Sequence, residues 1–178
     1  MKKFLQKHLF PILLGLIDGI LTVLTLATGK ILDKPHEGFS LNLAIRVALV
    51  TSISGACMYF ISEYSRQRIR LIRAEKELNF TQHGKFVTTN LGKQIRKETL
   101  QSVIISGSCS FLGAFIPMSG AVFFPGTAWV SLIIALFILA LLGWGIARIV
   151  YGNAILWVTY LFLAGIVVSF IGYKLRVI

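Results

Sequence analysis

Residues 14–29 read LGLIDGILTVLTLATG, a nearly uniform apolar run holding one carboxylate, Asp18. A membrane span needs about 20 consecutive, mostly apolar residues. Extended back to residue 8, this run reaches that length. Leu16, Leu21, Leu24 and Leu26 fall on different sides of a helix, so the segment is not a surface helix with one apolar face. It is too long for a signal-peptide core and lacks a small-residue cleavage pattern. A lone acid in a span is costly, at least about 2.5–3.5 kcal/mol at the centre if it faces lipid. The chemistry of Asp18 is therefore the question that the rest of the sequence has to answer.

Four more runs have the same character. Together with residues 8–29, segments 41–63, 101–124, 126–149 and 153–173 make five candidate spans. Hydrophobic residues are 56% of the 178-residue chain and charged residues only 14%. Mean hydropathy is +0.78, well above a soluble globular domain. The expected fold is an all-α integral membrane protein of five transmembrane helices. Residues 1–178 form a single membrane domain, and residues 64–100 form a helical projection between spans 2 and 3.

The net charge is +11, but its distribution argues against nucleic acid. Arg66, Arg68, Arg70, Arg73, Lys76, Lys85, Lys93, Arg96 and Lys97 crowd the connection between spans 2 and 3, opposed only by Glu75, Glu77 and Glu98. Lys2, Lys3 and Lys7 precede span 1, and Arg148 ends span 4. In a five-pass chain these regions all lie on one side, and flanking Lys and Arg mark the cytoplasmic side. The expected topology is multi-pass, with the N-terminus cytoplasmic and the C-terminus opposite. The basic connection reads as a topology signal beside anionic membrane lipid. No aromatic interleaving or nucleic-acid module accompanies it.

Helix 1 is expected to begin near His8, with Pro11 in its first turn, and to end near Gly29. Helix 2 starts near Leu41, and Arg46 snorkels to the interface. EYSRQRIRLIRAEKELN, residues 63–79, has no Gly or Pro and is rich in helix formers, so helix 2 projects to about Leu78. NFTQHGKF, residues 79–86, is a break around Gly84. Helix 4 is bulky and apolar and is expected to lie outermost.

Polar residues form stripes inside the spans, since positions i, i+3, i+4 and i+7 share a helix face. Gly15, Asp18, Thr22 and Thr25 line up on helix 1. On helix 2 the stripe is Thr51, Ser54, Gly55, Met58 and Ser62, with Glu63 at its end. Helix 3 offers Ser102, Ser106, Cys109, Ser110 and Gly113, then Pro117 and Gly120, and helix 5 offers Gly165, Ser169 and Gly172. Close helix packing explains small residues at four-residue spacing. An intramembrane acid such as Asp18 instead marks an ion or proton path. Glu63 reads equally as a solvated helix-end acid or as a ligand, and Met58 as packing or as a soft metal ligand. Cys57 and Cys109 have no CxxC partner, and His8, His36 and His83 show no ligand spacing. No nucleophile–base pair or nucleotide loop appears, so an enzyme is not expected.

Several stretches resemble the vacuolar iron transporter family. LGLIDGILTVLTLATG looks like that family's first-span signature, G-x-x-D-G followed by a small-residue run. GACMYFISEY, FLGAFIPMSG and GIVVSFIGYKL look like the ends of its second, third and last spans, in the same order. The resemblance implies a homodimer whose first spans line a central path, exporting Fe2+ or Mn2+ from the cytosol against protons. The metal is cargo, and no resident cofactor is implied. The resemblance carries over Asp18 as the first-span acid and Glu63 as the acid of the E-Y pair; with Met58 they are the candidate metal ligands, and Gly15, Thr22, Thr25, Thr51 and Tyr59 are the candidate path-lining residues. Glu75, Glu77 and Glu98 stand where the family gathers metal in the cytoplasm. The chain departs from the pattern at Tyr59, where the family has methionine, and at Thr51, where it has an acid. Its connection between spans 2 and 3 is also short and basic.

A two-fold axis would bring two Asp18 carboxylates together. With Thr22 hydroxyls and waters they approach the oxygen shell of a hard divalent ion, and a thioether adds preference for softer Fe2+. Proton and metal then compete for one site, a physical basis for exchange. Two alternatives stay open on the sequence: a transporter of the same fold for another cation, and a non-transporting scaffold that binds lipid or a partner through its basic segment.

Overall fold

The computed structural model describes residues 2–33, 40–77, 90–123, 128–149 and 152–175. Among these the chain forms five helices: α1 Lys2–Asp33, α2 Leu41–Glu77, α3 Asn90–Val122, α4 Ala128–Ile149 and α5 Ala154–Leu175. All five are long and apolar enough to cross a membrane. The protein is a multi-pass integral membrane protein of all-α architecture.

Helix boundaries follow local chemistry. Ser40 caps α2: its Oγ accepts from Leu43 N at 3.2 Å and its carbonyl accepts from Ala44 N at 3.0 Å. After α4, Gly152 N closes back on Ala147 O at 3.0 Å. At 1.5 Å per residue α2 is about 55 Å long and α3 about 50 Å, so both outrun a hydrocarbon layer of about 30 Å. That length is what the projection expected beyond span 2 requires; α2 is described to Glu77, and the expected end at Leu78 lies outside the described residues. The break at residues 79–86 lies outside the described residues. Helix 1 is longer than expected at both ends, running from Lys2 to Asp33. Pro11 therefore sits inside the helix rather than in its first turn, and it is buried.

α1 is the hub and packs on each of the other four helices. On one side Val23 and Ala27 form a core with Ala44 and Ala48 of α2 and Ala114 and Met118 of α3. On the other, Ile20 and Leu24 pack on Ala135 and Leu139 of α4. Around α1 the contacts run α2–α3, α3–α4 and α4–α5, while α2 and α5 do not touch among the described residues. The ring is open between α2 and α5.

α5, not α4, is outermost. Only 6% of its most apolar stretch is buried, against 33% for α4. Bulk does not decide this, because lipid tails accept Leu and Phe as readily as a protein core does. Ser131, Ala135, Leu139, Gly143 and Ala147 are all buried and recur every four residues, giving α4 a narrow inward stripe. Gly143 lies against Val158 and Trp157 of α5.

The closest helix contact joins α1 to α3. A Cβ at Gly15 would run into Ser106 O, and one at Gly19 into Ser110 O and, at 2.8 Å, Ala114 N. From the other side, a Cβ at Gly113 would stand 2.6 Å from Leu16 O. The obstacles are backbone atoms, which cannot step aside as a flexible side chain can. Gly19→Val is expected to push α1 from α3 and to cost about 1–3 kcal/mol, read as a lowered unfolding temperature in detergent. A Cβ at Gly145 meets nothing within 4 Å, so Gly145→Ala should leave that temperature unchanged or raise it slightly.

Candidate functional site

Asp18 stands near the middle of the apolar run His8–Gly29, about 15 Å of helix from either end. Its side chain is half-buried at the meeting of three helices. Oδ2 accepts a hydrogen bond from Ser110 Oγ of α3 at 3.3 Å, and a Cβ at Gly55 of α2 would come within 2.8 Å of the same oxygen. Ser110 is fully buried, and its hydroxyl also lies 3.3 Å from Thr51 O on α2. One proton is thus shared between Asp18 and the α2 backbone. Among the described residues no cation pairs with Asp18. Its helical direction places it beside α2, toward the open side of the ring.

Each neighbour has a local cause. Gly55 leaves the space that the carboxylate occupies. The Gly15–Gly19 contact draws α3 close enough for Ser110 to reach across. One turn earlier on α3, Ser52 Oγ donates to Gly107 O at 2.8 Å and ties α2 to the same unit.

The remaining residues of the α1 stripe divide among neighbours. Gly15 packs on Ser106 and Cys109 of α3. Thr22 Oγ1 donates to Asp18 O at 2.9 Å, and Thr25 Oγ1 to Thr22 O at 2.7 Å, so both hydroxyls are engaged with their own helix. The Thr25 backbone lies against Gly172 of α5. The stripe therefore borders the opening between α2 and α5, with Asp18 on the α2 side and Thr25 on the α5 side.

On α2 the inward stripe is Ala44, Ala48, Thr51, Gly55, Tyr59 and Glu63. Ser54, Met58 and Ser62, expected on the same stripe as Thr51 and Gly55, are exposed. The four-residue series from Ala44 turns Met58 about 100° away from Tyr59, and Met58 is 76% exposed. Within a protomer Met58 therefore faces away from Asp18. Thr51 is buried, and its hydroxyl donates to Val47 O at 2.8 Å. Tyr59 is buried beside Ser102 of α3, whose Oγ lies 3.4 Å from His8 Nδ1 of α1.

Glu63 is buried and engaged. It accepts from Arg66 Nη2, at 2.6 Å on Oε2 and 2.8 Å on Oε1, and from Gln67 Nε2 at 2.7 Å on Oε1. Eight residues separate it from Gly55, so it stands about 12 Å along α2 from the level of Asp18. The structure does not bring Asp18, Glu63 and Met58 together in one protomer. Among the described residues no three His, Cys, Asp or Glu side chains gather as metal ligands. Glu75 and Glu77 lie in the last turns of α2, and Glu98 is half-buried on α3.

Ser110 and Gly55 as neighbours of Asp18 were not singled out from the sequence. Both stood in the small-residue stripes, but which stripe faces the acid is set by the crossing of α1 and α3. No protein-family model, curated protein or solved structure matches the chain.

The outward placement of Met58 has a direct check. A spin label at Met58→Cys, in a background lacking Cys57 and Cys109, should show strong collisional broadening by oxygen in bilayers. A label at Ile61→Cys, also exposed, should behave alike. A label at Thr51→Cys, on the buried stripe, should be protected.

Proposed function

We propose that the protein is a homodimeric membrane transporter that moves a divalent metal out of the cytosol in exchange for protons. The path runs along α1 where the open sides of two protomers face each other. One observation supports this above the others. Asp18, deep in an apolar helix, is held by Ser110 and Gly55 beside an opening between α2 and α5, with no cation paired to it among the described residues. A carboxylate kept only for packing is usually neutralised by a neighbour, as Glu63 is by Arg66.

The oxygens around Asp18 suit a hard ion. They are its own carboxylate, the Ser110 hydroxyl and the Thr51 carbonyl, and a second protomer would double them. Hard divalent ions take six or more such ligands. Metal entry requires an unprotonated carboxylate, so a proton leaves as the ion binds and returns as it departs. Thr22 and Thr25, already bonded to their own backbone, contribute carbonyl and hydroxyl dipoles along the route.

Met58 supports a second reading within the same class. With its thioether turned outward, Met58 adds no soft ligand at Asp18 within a protomer, which favours an oxygen-preferring cation such as Mn2+ over Fe2+.

Reconstituted vesicles test both readings. Asp18→Asn removes the negative charge and should abolish metal-driven proton flux and metal binding together, while Ser110→Ala should weaken binding only a few-fold, the scale of one hydrogen bond of about 1 kcal/mol. Unchanged flux in Asp18→Asn would end the transport reading. In a metal panel, Mn2+ should be carried at least as well as Fe2+.

A further inference from the structure

A second concentration of charge lies away from Asp18. At the end of the bundle that carries the α2–α3 connection, a cleft of about 240 Å³ opens between the two helices. Tyr64, Arg68 and Leu71 of α2 form one wall, and Gly92, Lys93, Ile95 and Arg96 of α3 form the other. Among the described residues three cations line it and no carboxylate does.

The cleft has an apolar, packed base and a cationic, exposed rim. Leu71 is buried at 8% exposure, and Ile95 is half-buried, so the base is apolar. Tyr64 stacks on Phe60 with ring centroids 5.7 Å apart, which holds the phenol wall in place. Gly92 leaves room beside the first turn of α3, where backbone N–H groups lack intrahelical partners and the helix dipole favours an anion. Arg68, Lys93 and Arg96 are exposed at the rim. Glu63, next to Tyr64 on α2, is already bonded to Arg66 and Gln67.

We infer that this cleft binds a phosphate monoester, presented as the headgroup of a lipid in the adjacent leaflet. The cations exclude divalent metal from the cleft and select an anion. Arg forks pair with phosphate oxygens bidentately, and Lys93 adds a compact charge. The volume is below that of pockets for drug-sized ligands, which suits a small headgroup. Two features favour a lipid over a soluble ion. Both walls belong to helix stretches apolar enough to span, Leu41–Arg73 and Gly92–Gly120, so the cleft sits where those spans meet water. Its apolar base also offers a surface for the glycerol and upper acyl chain. This site does not depend on the transport reading.

The test uses the full chain in phosphatidylcholine nanodiscs. Fluorescent phosphatidic acid, a monoester, is compared with phosphatidylglycerol, a diester, at matched total charge. The wild-type chain should retain phosphatidic acid preferentially. Arg68→Gln/Lys93→Gln/Arg96→Gln should reduce that retention at least about tenfold, because it removes the forked and charge-assisted hydrogen bonds to the phosphate oxygens. The control Arg70→Gln/Arg73→Gln/Lys97→Gln removes the same charge from exposed positions outside the cleft and should change retention less than about twofold. Gly92→Leu fills the cleft without altering charge and should also abolish the preference for the monoester. Inorganic phosphate at millimolar concentration identifies the source: failure to displace the lipid supports a headgroup site, whereas full displacement assigns the cleft to soluble phosphate and overturns the lipid assignment. Equal losses in the two triple variants, or no preference between monoester and diester, would overturn the cleft as a site.

Discussion

Where Gly15 and Gly19 cross α3, two helix backbones meet with no side chain between them. In a bilayer no hydrophobic force drives helices together, because lipid tails solvate apolar side chains as well as a neighbouring helix does. Association rests on close van der Waals contact and on polar groups that find partners inside the protein. The α1–α3 crossing supplies both. It lets the backbones approach, and it brings Ser110 within reach of Asp18. A side chain at either glycine would widen the contact and withdraw the hydroxyl that holds the carboxylate. α3 then extends the unit to α2 through Ser52 and Gly107.

From that crossing the rest of the bundle follows in order. α1, fixed against α3, presents Ile20 and Leu24 to α4 and its Thr25–Thr28 region to Gly172 of α5. Four neighbours surround a single helix but do not close around it, since α2 and α5 stay apart. The opening exposes part of the most conspicuous helix of the chain. A single acid beside such an opening has only two economical solutions, a wet path or a symmetry mate. The proposed dimer joins the two.

The sequence made the five spans legible because span length and composition are coarse, additive properties. The reach of α2 to Glu77 was equally legible, from a run without Gly or Pro. What it concealed was rotation. Thr51, Gly55, Met58 and Glu63 all fit one broad polar stripe, yet Ala44 and Ala48 fix the inward direction, and Met58 falls outside it. In a membrane helix Ala is a packing residue. The bulk of α4, read from the sequence, placed it outermost. Its large side chains dominate the composition, while its small ones at Ser131, Ala135, Gly143 and Ala147 set the contact. Ser110 as partner to Asp18 was beyond reach, because it depends on a crossing between helices some 90 residues apart.

Asp18 and Glu63 show how one residue class acquires two roles from its surroundings. Glu63 lies next to the basic end of α2, where Arg66, three residues on, satisfies it within the helix. Asp18 has no cation within one turn of α1, because Leu14, Gly15, Leu21 and Thr22 occupy those positions. Its negative charge therefore stays available to something that arrives from outside. The basic end of the protein opposes the approach of a divalent ion, although salt in the aqueous phase screens exposed charges there over about 8 Å. A phosphate held between Arg68, Lys93 and Arg96 would lower the opposing charge still more. On the proposed reading the cationic cleft and the half-buried acid belong to one electrostatic arrangement: the first would draw anionic lipid to the rim, and the second keeps a carboxylate with no paired cation among the described residues in the interior.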